Sequence, residues 1–187
     1  PDRGFDEGNR EQQDASYDGS KPGEREYRRV RLLALLQMTY VGAPMIYYGD
    51  EVGMWGSDDP NNRKPMLWKD LEPYEDADEN FVMESHLAAM REMIGLRNAH
   101  EALRVGDFET VLVDDARDLW GFRRATDGEE IVVVLNASDR DARVSPSELD
   151  ALDPSERDGW RTIHVTDDRD EGDLVPAIGG RVWIRDR

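Results

Sequence analysis

The sequence has no cysteine, which removes disulfide staples and thiolate metal sites from consideration. Positive charge is scarce: 24 Lys and Arg stand against 42 Asp and Glu, a formal net charge of −18. A phosphate backbone is bound by a basic stripe, so this balance argues against nucleic acid as a partner. No apolar run approaches the roughly 20 residues that span a bilayer, so no membrane partner is expected and the chain reads as soluble. The three histidines, His86, His100 and His164, are too scattered for a recognisable metal cluster. The acidic run from Glu72 to Glu79 lacks the spaced ligands and central glycine of a calcium loop. No metal and no cofactor is therefore expected. The residues from Pro1 form no signal peptide, and zero cysteines fit a cytoplasmic location. The acid excess reads as a solubilising surface, with adaptation to salt as the alternative.

At 187 residues the chain has room for one ordinary domain or two small ones. Residues 1 to 23 are polar and aperiodic, which reads as loop. Tyr27, Val30, Leu33, Leu36 and Tyr40 then recur at helical spacing, with Leu32 and Leu35 widening the face, so a helix is expected over 24–41. Gly42 and Pro44 stop it. Met45 to Tyr48 is short and apolar, which suits a buried strand. Residues 49 to 80 lack periodicity, and a loop of that length inside a domain is usually functional or disordered. A second helix is expected over 80–99, burying Met83, Leu87, Met90, Met93 and Ile94. Beyond residue 103 the period falls to two. Strands are expected at Phe108–Val113, Leu119–Arg124, Ile131–Asn136, Arg161–Val165 and Gly180–Ile184, with Asp127-Gly128 as a hairpin turn.

Two stretches carry a resemblance. Gly42-x-Pro44-x-Ile46-Tyr47-Tyr48-Gly49-x-Glu51-x-Gly53 resembles the eighth barrel strand of the α-amylase family of glycoside hydrolases. Asp59-Pro60-Asn61-Asn62-Arg63-Lys64-Pro65-Met66-x-Trp68 resembles its neopullulanase and cyclomaltodextrinase branch. More weakly, 96–108 is similar to the family's passage from the last barrel helix into a sandwich, and 122–136 to a hairpin of that sandwich. The implied fold is α/β plus all-β: the last βα portion of a (β/α)₈ TIM barrel over 1–102, then a C-terminal antiparallel β-sandwich over 103–187. The implied function is that of the C-terminal part of a retaining α-glycosidase acting on α-glucans of maltodextrin, cyclodextrin or pullulan type.

Retaining hydrolysis needs two closely placed carboxylates, and in this family they follow earlier barrel strands. Asp2-Arg3 resembles the tail of a His-Asp motif that would lie just upstream of Pro1. No match to the family's three carboxylate motifs remains, so no catalytic residue is nominated and the chain alone is expected to be inactive. What the resemblance leaves is substrate contact by Asp59 and Arg63, four apart in a loop pinned by Pro60 and Pro65. A carboxylate accepts sugar hydroxyl hydrogens and a guanidinium donates in a planar fork. From spacing alone the two read as a surface ion pair. Asp50 and Glu51 would face opposite ways on a strand, so Glu51 is expected to bond loop backbone. Trp55 and Trp68 are read as loop anchors before sugar-stacking groups.

The partner expected is an α-glucan oligosaccharide, and the resemblance allows a homo-oligomer in the full-length form. The alternative is a carbohydrate-binding or purely structural β-sandwich module. Binding would require an exposed row of aromatics, whereas Trp120, Trp160 and Trp183 fall in separate segments. One strand and two amphipathic helices cannot cover their own apolar faces. Residues 24 to 100 are therefore expected to pack poorly or to associate when isolated.

Overall fold

The structure, a computed structural model, describes residues 20–56, 62–72, 81–145, 149, 159–167, 169 and 171–187. The chain divides into two units, Pro1–Tyr27 with Ile46–Ala88, and Arg28–Met45 with Ala89–Arg187. Helices α1 (Glu24–Thr39) and α2 (Glu84–Ala99) each begin in the first unit and run on into the second. Glu24 and Glu26 in the first turn of α1 complement the helix dipole.

The second unit is built on strand β3 (Glu129–Asn136). Its residues Ile131, Val132, Val133 and Val134 are all fully buried. A run of β-branched residues with no polar alternation is what a strand covered on both faces requires. β3 pairs with β2 (Leu119–Ala125) through a two-residue Asp127-Gly128 turn, closed by Thr126 N–H donating to Glu129 O at 2.9 Å. With β1 (Asp107–Asp114), β5 (Arg161–Val165) and β7 (Gly179–Asp186), they form a five-stranded antiparallel sheet of order β1-β2-β3-β7-β5. Alternate side chains of β3 serve two cores. Ile131, Val133 and Leu135 pack with Leu35 and Met38 of α1, Met90 and Met93 of α2, and Leu103 of the short helix α3 (Glu101–Val105). Val132 and Val134 pack with Val175 and Trp183, under a ribbon of β4 (Ala142–Arg143) and β6 (Leu174–Val175). Each fully buried Ile or Val side chain contributes about 1.5–3 kcal/mol.

All five expected strands form, and both helices form with shorter bounds. β4 and β6 were not legible, because two-residue strands carry no period. Residues 45–48 differ from expectation: they form no strand, and Met45 is 77% exposed. A strand exists only with a partner for its main-chain groups, and none among the described residues pairs with this one. The buried face of α1 also differs. Ala34, Leu35 and Met38 go in, while Leu33 is 63% exposed and Val30 is exposed too. Leucines at 32, 33, 35 and 36 let two neighbouring faces satisfy the same helical period, and the sheet takes the Leu35–Met38 face.

Buried charge joins these elements. Arg124 on β2 is 1% exposed and bonds four carbonyls: Thr39 at 2.8 Å, Leu103 at 3.1 Å, Gly106 at 3.0 Å and Asp107 at 3.2 Å. Arg97 on α2 bonds the carbonyls of Met38 at 2.8 Å, Tyr40 at 3.1 Å and Gly42 at 2.5 Å. Both therefore sit at the C-terminal ends of helices, where carbonyls lack partners and positive charge is favoured. Burial lowers both guanidinium pKa values, with the charge of Arg104 adding to the shift at Arg97 and that of Arg97 adding to the shift at Arg124. Glu130 is fully buried and is held by Arg123, Arg185 and Arg187. Burial opposes its ionisation, but donation from Arg123 and Arg185 outweighs this and holds the carboxyl below its usual range. His100 lies between α2 and α3, and its ring meets the Glu129 carboxylate at 2.9 Å.

Arg124→Ala leaves four carbonyls short of a donor and is expected to destabilise the fold by about 3 kcal/mol in urea unfolding, whereas exposed Arg161→Ala should cost less than about 0.5 kcal/mol. Asp141 accepts from both Arg169 Nη atoms, at 2.7 and 3.0 Å, and from Ala177 N–H at 2.9 Å. Donation from Arg169, then from Ala177, lowers its pKa from 3.8 to about 2. A depressed folded value stabilises the fold above the ordinary range, and that contribution is lost as the pH falls from 3.8 towards 2. Urea midpoints measured across that window should fall less steeply in Asp141→Asn than in the wild-type chain.

Candidate functional site

The first unit holds the loop on which the sequence places its candidate residues. Its core is small: Val52, Leu67 and Val82, with Met54, Met66 and Leu87 packed around them. The loop opens with a 3₁₀ turn, Asp50–Val52, set between Gly49 at φ 93° and Gly53 at φ 73°. Left-handed residues on both sides make glycine the natural choice at each end. Asp50 and Glu51 then bond the loop's own backbone. Tyr47 N–H donates to Asp50 Oδ2 at 3.2 Å, and Gly49 N–H to Glu51 Oε2 at 2.9 Å. Neither is arranged as half of an acid/base pair, and Glu51 does what the sequence implied. Burial raises the Asp50 pKa, and Glu51 beside it adds to the rise; the Tyr47 N–H and His86 oppose it.

Two further side chains hold the turn from the helices. His86 Nε2 donates to Asp50 O at 2.8 Å, and Tyr27 Oη donates to Gly53 O at 2.9 Å. The two rings meet edge to face with centroids 5.8 Å apart. The segment after the turn returns past it. Tyr48 Oη donates to the Lys64 carbonyl at 2.9 Å, and the Lys64 ammonium lies 3.9 Å from the centroid of the Trp55 ring. Tyr47 and Tyr48 lie against each other, centroids 4.8 Å apart, both substantially exposed. Trp55 is half-buried and anchors the loop as expected, whereas Trp68 is 56% exposed. The buried residue of the return is its neighbour Leu67, since only one of two successive extended residues can face the core.

Arg63 is exposed in this segment, close enough to Tyr48 for its charge to act on that phenol. Asp59 lies outside the described residues, as does all of the acidic run after Glu72. Glu72 itself accepts from Val82 N–H at 2.9 Å. This loop carries the Arg63 guanidinium, the Tyr47 and Tyr48 phenols and the Trp55 indole, which are groups that bind hydroxyls and ring faces. Among the described residues no group of three or more His, Cys, Asp or Glu is placed to hold a metal. Among them also, no helix is long and apolar enough to cross a membrane.

A cyclomaltodextrinase from Geobacillus thermopakistaniensis is 33% identical over 144 residues, 77% of this chain and 22% of that protein. Neopullulanase 2 of Thermoactinomyces vulgaris is 37% identical over 108 residues, 58% of this chain and 17% of its own. The chain is a relative of the α-amylase family. Solved members agree with this placement. The native Nostoc punctiforme debranching enzyme matches with a TM-score of 0.58 and 30% identity, over 82% of this chain and 30% of that one. The α-amylase from H.orenii, at 22% identity, shares the fold, with a TM-score of 0.64 over 84% of this chain and 35% of its own. A scan against protein-family profiles gives no match. The chain thus spans about a fifth of the length of the curated α-amylase-family relatives it matches.

Sequence reasoning missed Tyr48, Lys64, Tyr27 and His86 as parts of this loop. Their roles depend on which carbonyl or ring each meets, which residue type and spacing do not encode. Burial raises the Tyr48 pKa above 10.0, and Tyr47 adds to the rise while Arg63 opposes it. Burial raises Tyr27 as well, so Tyr48→Phe should remove one of the phenols that titrate above the usual range in an ultraviolet titration, and Arg63→Ala should move the Tyr48 phenol higher still.

Proposed function

We propose that this chain is the C-terminal part of a retaining α-glycosidase that acts on α-glucans of the maltodextrin, cyclodextrin or pullulan type. In this reading 1–102 supplies the end of a (β/α)₈ barrel and 103–187 a β-sandwich. Asp59 and Arg63 hold a sugar of the substrate, and the catalytic carboxylates belong to earlier barrel strands. The observation that carries the reading is the match of most of this chain to proteins named for cyclodextrin and pullulan breakdown, over only a fifth of their length.

The exposed apolar residues support it. Val30, Leu33, Val41 and Met45 in one unit, and Ile46, Tyr47 and Tyr48 in the other, are exposed. Barrel neighbours would cover such faces and give 45–48 the partners a strand needs. A stand-alone sugar-binding sandwich is less well supported. Trp183 is buried, and Trp120 and Trp160 pack partly into the two cores, so the three form no exposed aromatic row. A cytoplasmic, homo-oligomeric full-length protein without cofactor completes the proposal, the first of these resting on the lack of cysteine.

The test uses β-cyclodextrin and pullulan. The chain by itself is expected to hydrolyse neither; hydrolysis by it would overturn the placement of the carboxylates outside it. Protein expressed from the complete reading frame is expected to cleave at least one of the two. In that protein Arg63→Ala and Asp59→Ala should each raise KM about tenfold or more, with a smaller change in kcat, as loss of a charged hydrogen bond to substrate implies.

A further inference from the structure

Lys64 is held at both ends. Its carbonyl accepts from the Tyr48 phenol at 2.9 Å, and its ammonium lies 3.9 Å from the centroid of the Trp55 indole. The two anchors leave opposite ends of the glycine-bounded turn, Tyr48 just before it and Trp55 just after. That turn is itself fixed by Tyr27 on Gly53, His86 on Asp50, and the Asp50 and Glu51 carboxylates on their own backbone. On the other side of Lys64 stand Pro65, which confines Lys64 to extended backbone, and Leu67, which is 5% exposed in the unit's small core.

Arg63 is thus an exposed, long side chain on a main chain pinned immediately after it. A flexible guanidinium delivers a directed fork to a hydroxyl pair only if its backbone is fixed to a fraction of an ångström. We propose that Tyr48, Trp55 and Lys64 form a clamp that positions Arg63 for the sugar. The inference rests on the reading of Arg63 as a substrate contact and adds three positioning residues to it. The chemistry of each is specific. Tyr48 contributes one hydroxyl donor, Trp55 a π-face, and Lys64 a cation that an arginine can replace over an indole but a methionine cannot.

The experiment measures KM and kcat on β-cyclodextrin in the protein expressed from the complete reading frame, with amide hydrogen exchange at residues 62–67 alongside. Tyr48→Phe and Lys64→Met are expected to raise KM about three- to tenfold with kcat held within about twofold, the size of effect one hydrogen bond or one exposed cation–π contact carries. Lys64→Arg should restore KM. In an Arg63→Ala background Lys64→Met should add nothing, because the clamp acts only through Arg63. Exchange at 62–67 should quicken in Tyr48→Phe and Lys64→Met while the urea midpoint stays in place. If Arg63→Ala raises KM and the clamp variants do not, the clamp is overturned and the reading of Arg63 stands. If Arg63→Ala leaves KM unchanged, the reading of Arg63 falls, and the clamp as a substrate-positioning device falls with it. Should the full protein show no hydrolysis, unchanged exchange in Lys64→Met overturns the clamp, and quickened exchange supports it as the feature that orders the Arg63 backbone.

Discussion

The donation of buried guanidinium groups to main-chain carbonyls is the constraint on which the second unit depends. A helix ends with carbonyls that have no partner within it, and burying such an end is costly unless a donor is supplied. Arg97 and Arg124 supply that donor for α1, and Arg124 serves α3 as well. The sheet and the three helices share one apolar core, and the carbonyl ends of α1 and α3 are satisfied beside it. Glu130 repeats the idea with the sign reversed, a buried acid ringed by Arg123 of β2, Arg185 of β7 and Arg187 just beyond β7.

The first unit solves a different problem with smaller means. Its core has few side chains, so shape comes from backbone satisfaction: a turn bounded by two left-handed glycines, two carboxylates spent on nearby N–H groups, and a phenol and an imidazole donating to carbonyls. The carboxylates of Asp50 and Glu51 are here the framework of a loop. That leaves the outward-facing arginine, phenols and indole as the part of the unit that can meet a ligand.

How much was legible in the sequence follows from what each element depends on. β3 could be read from Ile131 to Asn136 because an unbroken β-branched run has one good use. The Asp-Gly hairpin is similarly local. The orientation of α1 was not legible, because Leu32, Leu33, Leu35 and Leu36 satisfy the helical period on two faces and only the packed core selects between them. Residues 45–48 read as a strand from composition, yet pairing is a property of two segments and the described residues offer no second one. Arg63 was found through a motif rather than through its surroundings. The contacts around it could not be, since Tyr48 and Lys64 are joined by a carbonyl, which every residue possesses.

A side chain that bonds carbonyls asks nothing of the identity of the residues it bonds. Thr39, Leu103, Gly106 and Asp107 present to Arg124 the one group that mutation cannot remove. Arg124 itself therefore sets no demand on the side chains at these positions; what restricts them is their own packing, as at Gly106, where a Cβ would meet the Ala102 carbonyl oxygen at 2.5 Å, and at the fully buried Leu103. Lysine cannot take its place, because four carbonyls spread around a planar fork exceed what three donors on a single point can reach. The junction is therefore tolerant in its acceptors and intolerant in its donor.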